Sequence, residues 1–563
     1  MAHISFLPLG GQDERNKNSY VLKINDDTLV FDCGVKVPIN SLYGVNMIAP
    51  DYSPLAEDES NNKVKGIFIG YPSFYNHASL ILLLQKIGFD TPIYCTEVGK
   101  IIIETYLEKK HWGIYKNHTF NFKIVQPLKS FHVGKTEIVP FSICDSIPGS
   151  VGWIIKSSDG AIVFIDEFMV SNDRSKIFTS QLSKVDYLTR HNVLALIPCL
   201  GNAGKNKSFT TPSHKNTAFY QSVIKKAKGR VLIGCNDSDA YTIINLAKIA
   251  KNNNRPFSIY SNTFMNVFSN IVKHKLINIK GLNCVQISEI NDRDNAIVVI
   301  AATHEQLFKK LMLIADNQIQ SIEPKSSDTF ILGTQLVPGY EGHAAQLLDK
   351  LSKLDIESFV LPKTIMSMSA SDEDHKYLLD KLNPKYVFPI QGLYKSVIKF
   401  QEDVNQTRVK LEQVHFIDNG EEITIVNGEL QKRKTHFKLT EKYIGNNGND
   451  DTSASILFER QKLSEAGVVT VTLFVDKASQ QFIDKINYET YGIVSKLTSN
   501  QEIIQNIMKD FKLQIPNLTV IDHKNNKINH KETKIFFKKL LMKLFEKKFD
   551  KRPVVLASIV EVE

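Results

Sequence analysis

The stretch VKGIFIGYPSFYNHASLILLL, residues 64–84, is where the types and spacing of side chains first suggest a reaction site. An apolar β-branched run predicts a buried strand, residues Gly70 to Asn76 predict a loop, and the apolar run that follows predicts a helix. Loops at the ends of buried strands commonly carry the chemistry of α/β enzymes. This loop holds two Tyr, a Phe, a Pro, a Ser and an Asn, none of them a usual metal ligand, and His77 follows where the helix should begin.

Length, composition and cysteine spacing limit the class of protein. With 563 residues, of which 42% are hydrophobic and 23% charged, the chain predicts a globular protein of roughly three to four domains. Its six cysteines are scattered without a Cys-x-x-Cys pair, which argues against a zinc knuckle or a disulfide framework. No basic leader precedes an apolar core at the start, and no apolar run approaches the roughly 18 residues of a membrane span. We therefore expect a soluble, cytoplasmic protein with no membrane partner.

A basic segment near the end of the chain stands out from a modest net charge of +9. Residues 531–552 contain nine Lys or Arg against three acidic residues, and their apolar side chains recur at helical spacing. This pattern predicts an amphipathic helix with a basic outer face. A solvated lysine face over a small domain is the plainer interpretation, and contact with RNA phosphates is the functional one.

The secondary structure that the sequence predicts around these residues changes along the chain. Turn-forming triplets at Asn25–Asp27 and Ser158–Gly160 each separate two apolar alternating runs, which predicts two β-hairpins. From about residue 207 to 356 strands alternate with helices, as in an inserted α/β domain with a parallel sheet. The polar segment 443–455 predicts a linker, and the residues after it predict a compact unit that contains the basic helix.

Seven short motifs, in their order along the chain, carry a resemblance to a known family. They are LPLGGQDERNKNSY, LVFDCGVKVP, GVNMIAPDY, DSIPGSVGWII, NPKYVFPIQGLY, KLSEAGVVTVTLFVD and KRPVVLASIVEV. Together they make the sequence similar, almost end to end, to the ribonuclease J family of metallo-β-lactamase-fold nucleases. The resemblance implies an α/β protein with a metallo-β-lactamase αββα sandwich, an inserted β-CASP α/β domain and a small α/β C-terminal domain. The expected boundaries are 1–206 and 357–430 for the sandwich, 207–356 for the β-CASP domain, 431–455 for a linker and 456–563 for the C-terminal domain.

Enzymes that the sequence resembles cut RNA with two zinc or manganese ions, which activate a water molecule. The family holds most ligands in a His-x-His-x-Asp-His loop, and that loop aligns with Tyr71, Ser73, Tyr75 and Asn76 of this chain. The family's remaining ligand positions are occupied here by Asp145, Glu167, Cys199, Ser369 and Gln391. We therefore expect no catalytic residue, no metal ligand and no cofactor.

Two sets of residues remain as candidates for metal ligands, a pair of acids and His77. Asp145 with Glu167 or with Asp166 is the one combination that could hold a hard cation weakly, and two acids form a thin coordination shell. A register slip that brings His77 into the loop would disturb the aligned strand or helix and would supply one ligand only. We expect instead that Asn76 caps the helix and that His77 lies in its first turn.

The aromatic residues of the loop suggest what replaced the ligands. Buried aromatic side chains such as Phe74 and Tyr75 can each contribute about 1.5 to 3 kcal/mol through area removed from water. We therefore expect the loop to fill the former metal cleft.

The functional expectation is a catalytically silent member that serves RNA processing and mRNA decay. It would act as a non-catalytic subunit or RNA-binding scaffold for an active ribonuclease J paralogue, in a hetero-oligomer, or would form a homodimer. One alternative is an active metal-dependent exo- and endoribonuclease with an unorthodox site. Another is a free-standing RNA-binding protein, whose affinity would fall steeply with salt.

RNA-contacting residues follow only from the resemblance. The resemblance places Ser367, Ser369 and Ser371 in the loop that touches RNA phosphate in the family, and Asn202 and Tyr394 are two further candidates. Their hydroxyl and amide groups could donate hydrogen bonds to phosphates. All five have an alternative role as loop or capping residues.

Overall fold

The computed structural model describes residues 2–38, 43–56, 63–108, 118–171, 177–336, 339–432, 435–445, 454–495, 497–522 and 527–563. The chain forms two compact units. The first comprises Met1–Asn40 with Asn46–Asn449, and the second comprises Ser41–Val45 with Asp450–Glu563.

The first unit is built on two large mixed sheets. One follows the order β20-β19-β1-β2-β3-β5-β6-β7, with β21 also paired to β19. Its strands are β1 (His3–Gly10), β2 (Ser19–Ile24), β3 (Asp27–Phe31), β5 (Val64–Phe68), β6 (Ile93–Cys95), β7 (Phe122–Ile124), β19 (Glu421–Val426), β20 (Glu429–Leu430) and β21 (Thr435–His436). The other follows the order β18-β12-β11-β10-β9-β8. Its strands are β8 (Phe131–Val133), β9 (Thr136–Ser142), β10 (Val151–Ser157), β11 (Gly160–Ile165), β12 (Val193–Pro198) and β18 (Tyr386–Val387).

Aromatic side chains join the two sheets face to face. The ring of Phe31 stacks on that of Phe164 at 4.6 Å between centroids, and Phe68 meets Trp153 edge to face at 5.3 Å. Helices cover both outer faces, which gives the four-layered αββα sandwich expected from the sequence. These helices are α1 (Ser53–Ala56), α2 (Phe74–His77), α3 (Leu80–Ile87), α4 (Glu97–Leu107), α5 (Leu182–Leu188), α11 (Asp372–Leu382) and α12 (Tyr394–Val404).

A five-stranded parallel sheet is inserted between the two halves of the sandwich. Its order is β14-β15-β13-β16-β17, and every pairing in it is parallel, as the strand–helix alternation predicts. The strands are β13 (Val231–Asn236), β14 (Phe257–Tyr260), β15 (Ile297–Ala302), β16 (Thr329–Leu332) and β17 (Glu357–Val360). The helices around it are α6 (Thr217–Lys226), α7 (Ala240–Asn252), α8 (Asn262–Lys273), α9 (His304–Ala315) and α10 (Glu341–Lys353), with a 3-10 helix at Ile287–Asp292. Because β17 pairs with β16, this sheet extends past residue 356.

The second unit packs two long helices on one face of a three-stranded sheet. Strand β23 (Val468–Asp476) lies between β24 (Phe482–Tyr491), which is antiparallel to it, and β27 (Val554–Val562), which is parallel. The helices are α13 (Ala454–Ala466), α14 (Thr498–Leu518) and α15 (His530–Phe549), and a small hairpin joins β25 (Ile521–Asp522) to β26 (Lys527–Ile528). Alternate residues of β23 are buried, and Phe511, Phe537 and Phe545 of the helices lie in the same core.

Several local expectations can be compared with the structure. Both hairpins form, with β2 paired to β3 and β10 paired to β11, and α15 is the expected basic helix. The expected linker is partly structured, because β22 (Lys442–Ile444) pairs with β4 (Met47–Ala49). Residues 446–453 of that linker lie outside the described residues. Within the described part of the chain, no helix is long and apolar enough to cross a membrane.

Candidate functional site

The candidate site lies where strands of both sheets end. Asp32 follows β3, the loop of residues 69–73 follows β5, Asp166 follows β11 and Cys199 follows β12. Since β3 is parallel to β5 and β11 is parallel to β12, these residues meet at one edge of the sandwich. We define the cleft cluster as Asp32, Asn76, Asp166, Glu167, Ser369 and Gln391.

The carboxylate of Asp166 is the centre of the cleft cluster. The side-chain amide of Asn76 donates a hydrogen bond to Oδ2 of Asp166. Oδ1 accepts from Nε2 of Gln391 at 2.5 Å and from the backbone N–H of Glu167 at 2.8 Å. Both side-chain donors stand at positions where the sequence alignment expects histidine ligands, so amide protons point at this carboxylate in place of a cation.

Further hydrogen bonds fix the residues around this centre. Oδ1 of Asn76 accepts from the hydroxyl of Ser73, which holds the amide group in one orientation. The hydroxyl of Ser369 donates to Oε2 of Glu167, and the thiol of Cys199 lies 3.4 Å from Oε1 of Gln391. Six of the expected ligand positions are therefore tied to neighbouring side chains by hydrogen bonds within the protein: Ser73, Asn76, Glu167, Cys199, Ser369 and Gln391.

Burial raises the pKa of each acid in the cleft cluster. Burial first, and then the charge of Glu167, raise the pKa of Asp166 to about 7. Burial raises the pKa of Asp32 well above its usual range, and the neighbouring Asp166 raises it further. Burial raises the pKa of Glu167 as well.

Asp145 is fully buried and is used by its own turn. Its Oδ1 accepts from the backbone N–H of Ile147 at 2.6 Å and from the hydroxyl of Ser150 at 3.0 Å. Burial raises the pKa of Asp145 well above its usual range. The turn therefore already engages one oxygen of the acid that we considered as a cation ligand with Glu167.

The loop between β5 and α2 fills its surroundings differently from the expectation. Tyr71 is buried, whereas Phe74 and Tyr75 are only half-buried, so Tyr71 is the main aromatic filler. The hydroxyl of Tyr71 lies 3.0 Å from that of Ser146. A Cβ atom on Gly34 would come 1.5 Å from the backbone oxygen of Tyr75, so glycine is required for the loop to lie this close.

The helix after the loop also differs from the expectation. Asn76 does not cap it, because Asn76 and His77 are the last two residues of the short helix α2. The His77 ring is buried and packs edge to face against Tyr106 at 5.3 Å. It lines a cavity of about 60 Å³ together with Ile102 and Ile271, a volume that suits a few water molecules. The ring of His77 therefore packs against residues outside the cleft cluster.

The five residues expected to touch RNA fall into two groups. The amide of Asn202 donates to the hydroxyl of Ser367 at 3.0 Å and to the backbone oxygen of Ser369 at 3.2 Å, and it is buried. Ser371 is buried and forms a capping box with Asp374 at the start of α11. Tyr394 differs, because 57% of it is exposed while its backbone N–H donates to Asp13. Four of the five side chains are thus already hydrogen-bonded inside the fold, and the ring of Tyr394 is accessible.

Donor chemistry in the cleft does not fit a pair of zinc or manganese ions. Among the described residues, no three His, Cys, Asp or Glu side chains come together as a group that could hold a metal ion. Zinc needs about four nitrogen, sulfur or carboxylate ligands, and the cleft cluster instead directs N–H groups toward its central acid.

Sequence reasoning missed one central residue, Asp32. It lies within the quoted motif LVFDCGVKVP, directly after a buried strand, and only its placement beside Asp166 reveals its part in the site. The signal available in the sequence was an acid at the end of an otherwise apolar run.

Comparisons with known proteins agree with this architecture. Residues 228–351 match the family described as Ribonuclease J, beta-CASP domain, and residues 455–562 match the Ribonuclease J C-terminal domain. A solved structure of a protein of unknown function from Enterococcus faecalis is similar over 75% of this chain and 100% of that one, with a TM-score of 0.53 and 12% identity. The fold is of the metallo-β-lactamase type with an inserted β-CASP domain.

Relatives extend the similarity over the whole chain. An uncharacterised protein of Mycoplasma pneumoniae is 37% identical over 569 aligned positions, covering 100% of both chains. Ribonuclease J2 of Bacillus subtilis is 23% identical and covers 89% of each chain, and ribonuclease J 2 of Staphylococcus saprophyticus is 23% identical over 100% of this chain and 98% of its own. The chain belongs to the ribonuclease J family, and this membership supports a role in ribonuclease-like RNA processing.

Proposed function

We propose that this protein is a non-catalytic ribonuclease J subunit that serves RNA processing and mRNA decay in the cytoplasm. It would bind an active ribonuclease J paralogue and act as a scaffold that stabilises that subunit or extends its RNA-binding surface. Assembly with a second copy of itself is the alternative arrangement. In either case, metal ions play no part in this chain.

One observation carries the proposal. The amide groups of Asn76 and Gln391 donate to the carboxylate of Asp166, in the place where metal-dependent relatives need electron-pair donors. A cation placed against those N–H groups would meet their positive ends, and its carboxylate ligand is already satisfied. The fold around the cleft is retained, with both sandwich sheets and the parallel inserted sheet in place.

Recovery of the protein with its companions tests the proposal. An affinity-tagged copy expressed at its natural level should co-purify with an active ribonuclease J from the same cell. The complex should survive treatment with an unrelated ribonuclease, which removes RNA that could bridge two proteins. An untagged strain is the background control.

A second assay removes the cellular context. The purified full chain and the purified active paralogue should form a complex on a sizing column in the absence of RNA. If no paralogue accompanies the tagged protein and none binds it in this assay, the hetero-oligomer is wrong. A single species of twice the chain mass would then favour the homodimer.

A further inference from the structure

The outward face of α15 is a basic surface of the second unit. Lys539, Lys543 and Lys547 recur at intervals of four residues and are exposed, so they form one stripe along the helix. At a rise of about 1.5 Å per residue, the Cα atoms of neighbouring lysines in the stripe are about 6 Å apart along the helix axis. Phe536 lies on the same side, one turn before Lys539 and two turns before Lys543, and is 42% exposed. We call these four residues the basic stripe.

No acid neutralises the stripe within the described residues. None of the three lysines has a carboxylate within 4.0 Å among them, whereas elsewhere in this unit Lys512 pairs with Asp484. Glu546 beside the stripe is already paired with Arg552 at 2.7 Å, and Glu532 lies at the first turn of the helix. Uncompensated positive charge next to an exposed aromatic ring is typical of a surface that binds single-stranded nucleic acid.

The opposite face of α15 decides against a membrane partner. Phe537, Leu541 and Phe545 are fully buried in the core of the second unit. A helix that lies in a membrane surface must bury its apolar face among lipids, and here that face is already occupied. The charge of the stripe remains available, and its natural complement is a polyanion in water.

We propose that the basic stripe binds single-stranded RNA, with the three lysines on successive phosphates and Phe536 stacked on a base. This inference deepens the role in RNA processing proposed above and does not depend on a partner subunit. Lysine contacts to phosphates are independent of sequence, and a base of any type can stack on a phenyl ring. The surface therefore serves to hold RNA and does not select a sequence.

Salt dependence of binding tests the lysines. The full chain is titrated into a fluorescein-labelled oligouridine of about 16 nucleotides, and anisotropy is followed between about 50 and 200 mM salt. The triple variant K539Q/K543Q/K547Q should bind about tenfold more weakly at the lowest salt, and the slope of log K against log salt should become smaller by about 2, since each single-strand phosphate contact contributes about 0.7. The control K225Q/K226Q/K228Q removes three exposed lysines of the first unit and should bind as the wild type does.

A second pair of variants tests the aromatic contact. Phe536→Ala should weaken oligouridine binding about tenfold, as for other stacking platforms, without altering the salt slope. Leu513→Ala removes an apolar side chain of α14 that is 77% exposed, more than Phe536 is, and should have no effect. Circular dichroism of all variants shows whether they are folded.

Three results would overturn the proposal. The first is an unchanged salt slope in K539Q/K543Q/K547Q, and the second is an equal loss of oligouridine binding in that variant and in K225Q/K226Q/K228Q. The third is that substitutions in the basic stripe abolish sedimentation with phosphatidylserine vesicles but leave oligouridine binding unchanged. Because every measurement uses the chain alone, failure here leaves the paralogue complex untouched, and loss of that complex leaves the RNA surface untouched.

Discussion

At the scale of single residues, two side-chain amides replace what a metal ion would do for Asp166. A buried carboxylate is costly unless donors satisfy its oxygens, and Asn76, Gln391 and the N–H of Glu167 supply those donors. Burial raises the pKa of the neighbouring Asp32 well above its usual range. Donors of the protein itself thus satisfy both oxygens of Asp166.

The raised pKa of Asp166 predicts how stability depends on pH. The unfolded carboxyl group loses its proton near pH 4 and the folded one at about 7, so folding takes up a proton in between. The free energy of unfolding should therefore fall as pH rises from about 4 to 7. Asp166→Asn should make this dependence weaker, as measured by urea unfolding at a series of pH values.

A surface acid provides the control for that experiment. Asp510→Asn, on the exposed side of α14, should leave the pH dependence as in the wild type. An Asp166→Asn protein whose stability changes with pH as steeply as that of the wild type would contradict the assignment of Asp166 as the proton-binding group.

Removing one amide donor should cost stability. Asn76→Ala leaves a buried oxygen of Asp166 without its hydrogen bond, and the expected loss is about 1 to 3 kcal/mol of unfolding free energy. Asn283→Ala, at an exposed loop position, should change it by less than about 0.5 kcal/mol. Equal unfolding curves for the two variants would show that the Asn76 amide adds nothing to the fold.

Alignment alone identified which residues stand at the ligand positions, because motif order and spacing are visible in a sequence. It could not identify how they pair. The expectation that Phe74 and Tyr75 fill the cleft was wrong, because Tyr71 is the buried ring of the loop. The centre of the cleft holds hydrogen-bonded polar side chains such as Asn76 and Asp166. Pairings such as Gln391 with Asp166 join residues 225 positions apart, and no local pattern encodes them.

At the scale of elements, the loop after β5 also joins the sandwich to the inserted domain. The Tyr71 hydroxyl lies 3.0 Å from the hydroxyl of Ser146, which in turn donates to the backbone oxygen of Ser238 at 2.9 Å. Ser238 belongs to the connection between β13 and α7. A residue at an expected ligand position has therefore become a structural contact.

Substitutions in the loop should separate the contributions of its rings. Tyr71→Ala removes a buried aromatic side chain and should cost about 3 to 5 kcal/mol of unfolding free energy, while Tyr71→Phe removes only the hydroxyl contact and should cost about 0.5 to 1.5 kcal/mol. Phe74→Ala should lower the melting temperature by less than Tyr71→Ala does, because Phe74 is half-buried. A larger decrease in melting temperature for Phe74→Ala than for Tyr71→Ala would indicate that Phe74 is the main aromatic filler.

Elements with strong patterns were predictable, and short ones were not. Buried β-branched runs predicted the parallel strands β13 to β16, and turn-forming residues predicted both hairpins. The four-residue helix α2 has no periodic pattern to reveal it, and tertiary contacts such as that between Gly34 and Tyr75 determine where the chain turns. Strand β17 is short and half-exposed, so its partner sheet could not be read from its residues.

At the scale of the whole molecule, family similarity spans both compact units. The matched β-CASP residues 228–351 lie in the first unit and the matched C-terminal residues 455–562 lie in the second. A fold can be kept while the residues of one site differ, because fold and function are separable. The proposed roles therefore rest on surfaces such as the basic stripe.

Metal content and RNA cleavage, measured on one preparation of the full chain, test whether the cleft is silent. The protein is purified without chelator, analysed for bound zinc and manganese, and incubated with 5′-labelled RNA and added Mn²⁺, with and without EDTA. An active ribonuclease J assayed in parallel is the positive control. We predict metal far below one ion per chain and no cleavage that EDTA abolishes, whereas stoichiometric zinc or manganese with chelator-sensitive cleavage would contradict the proposal.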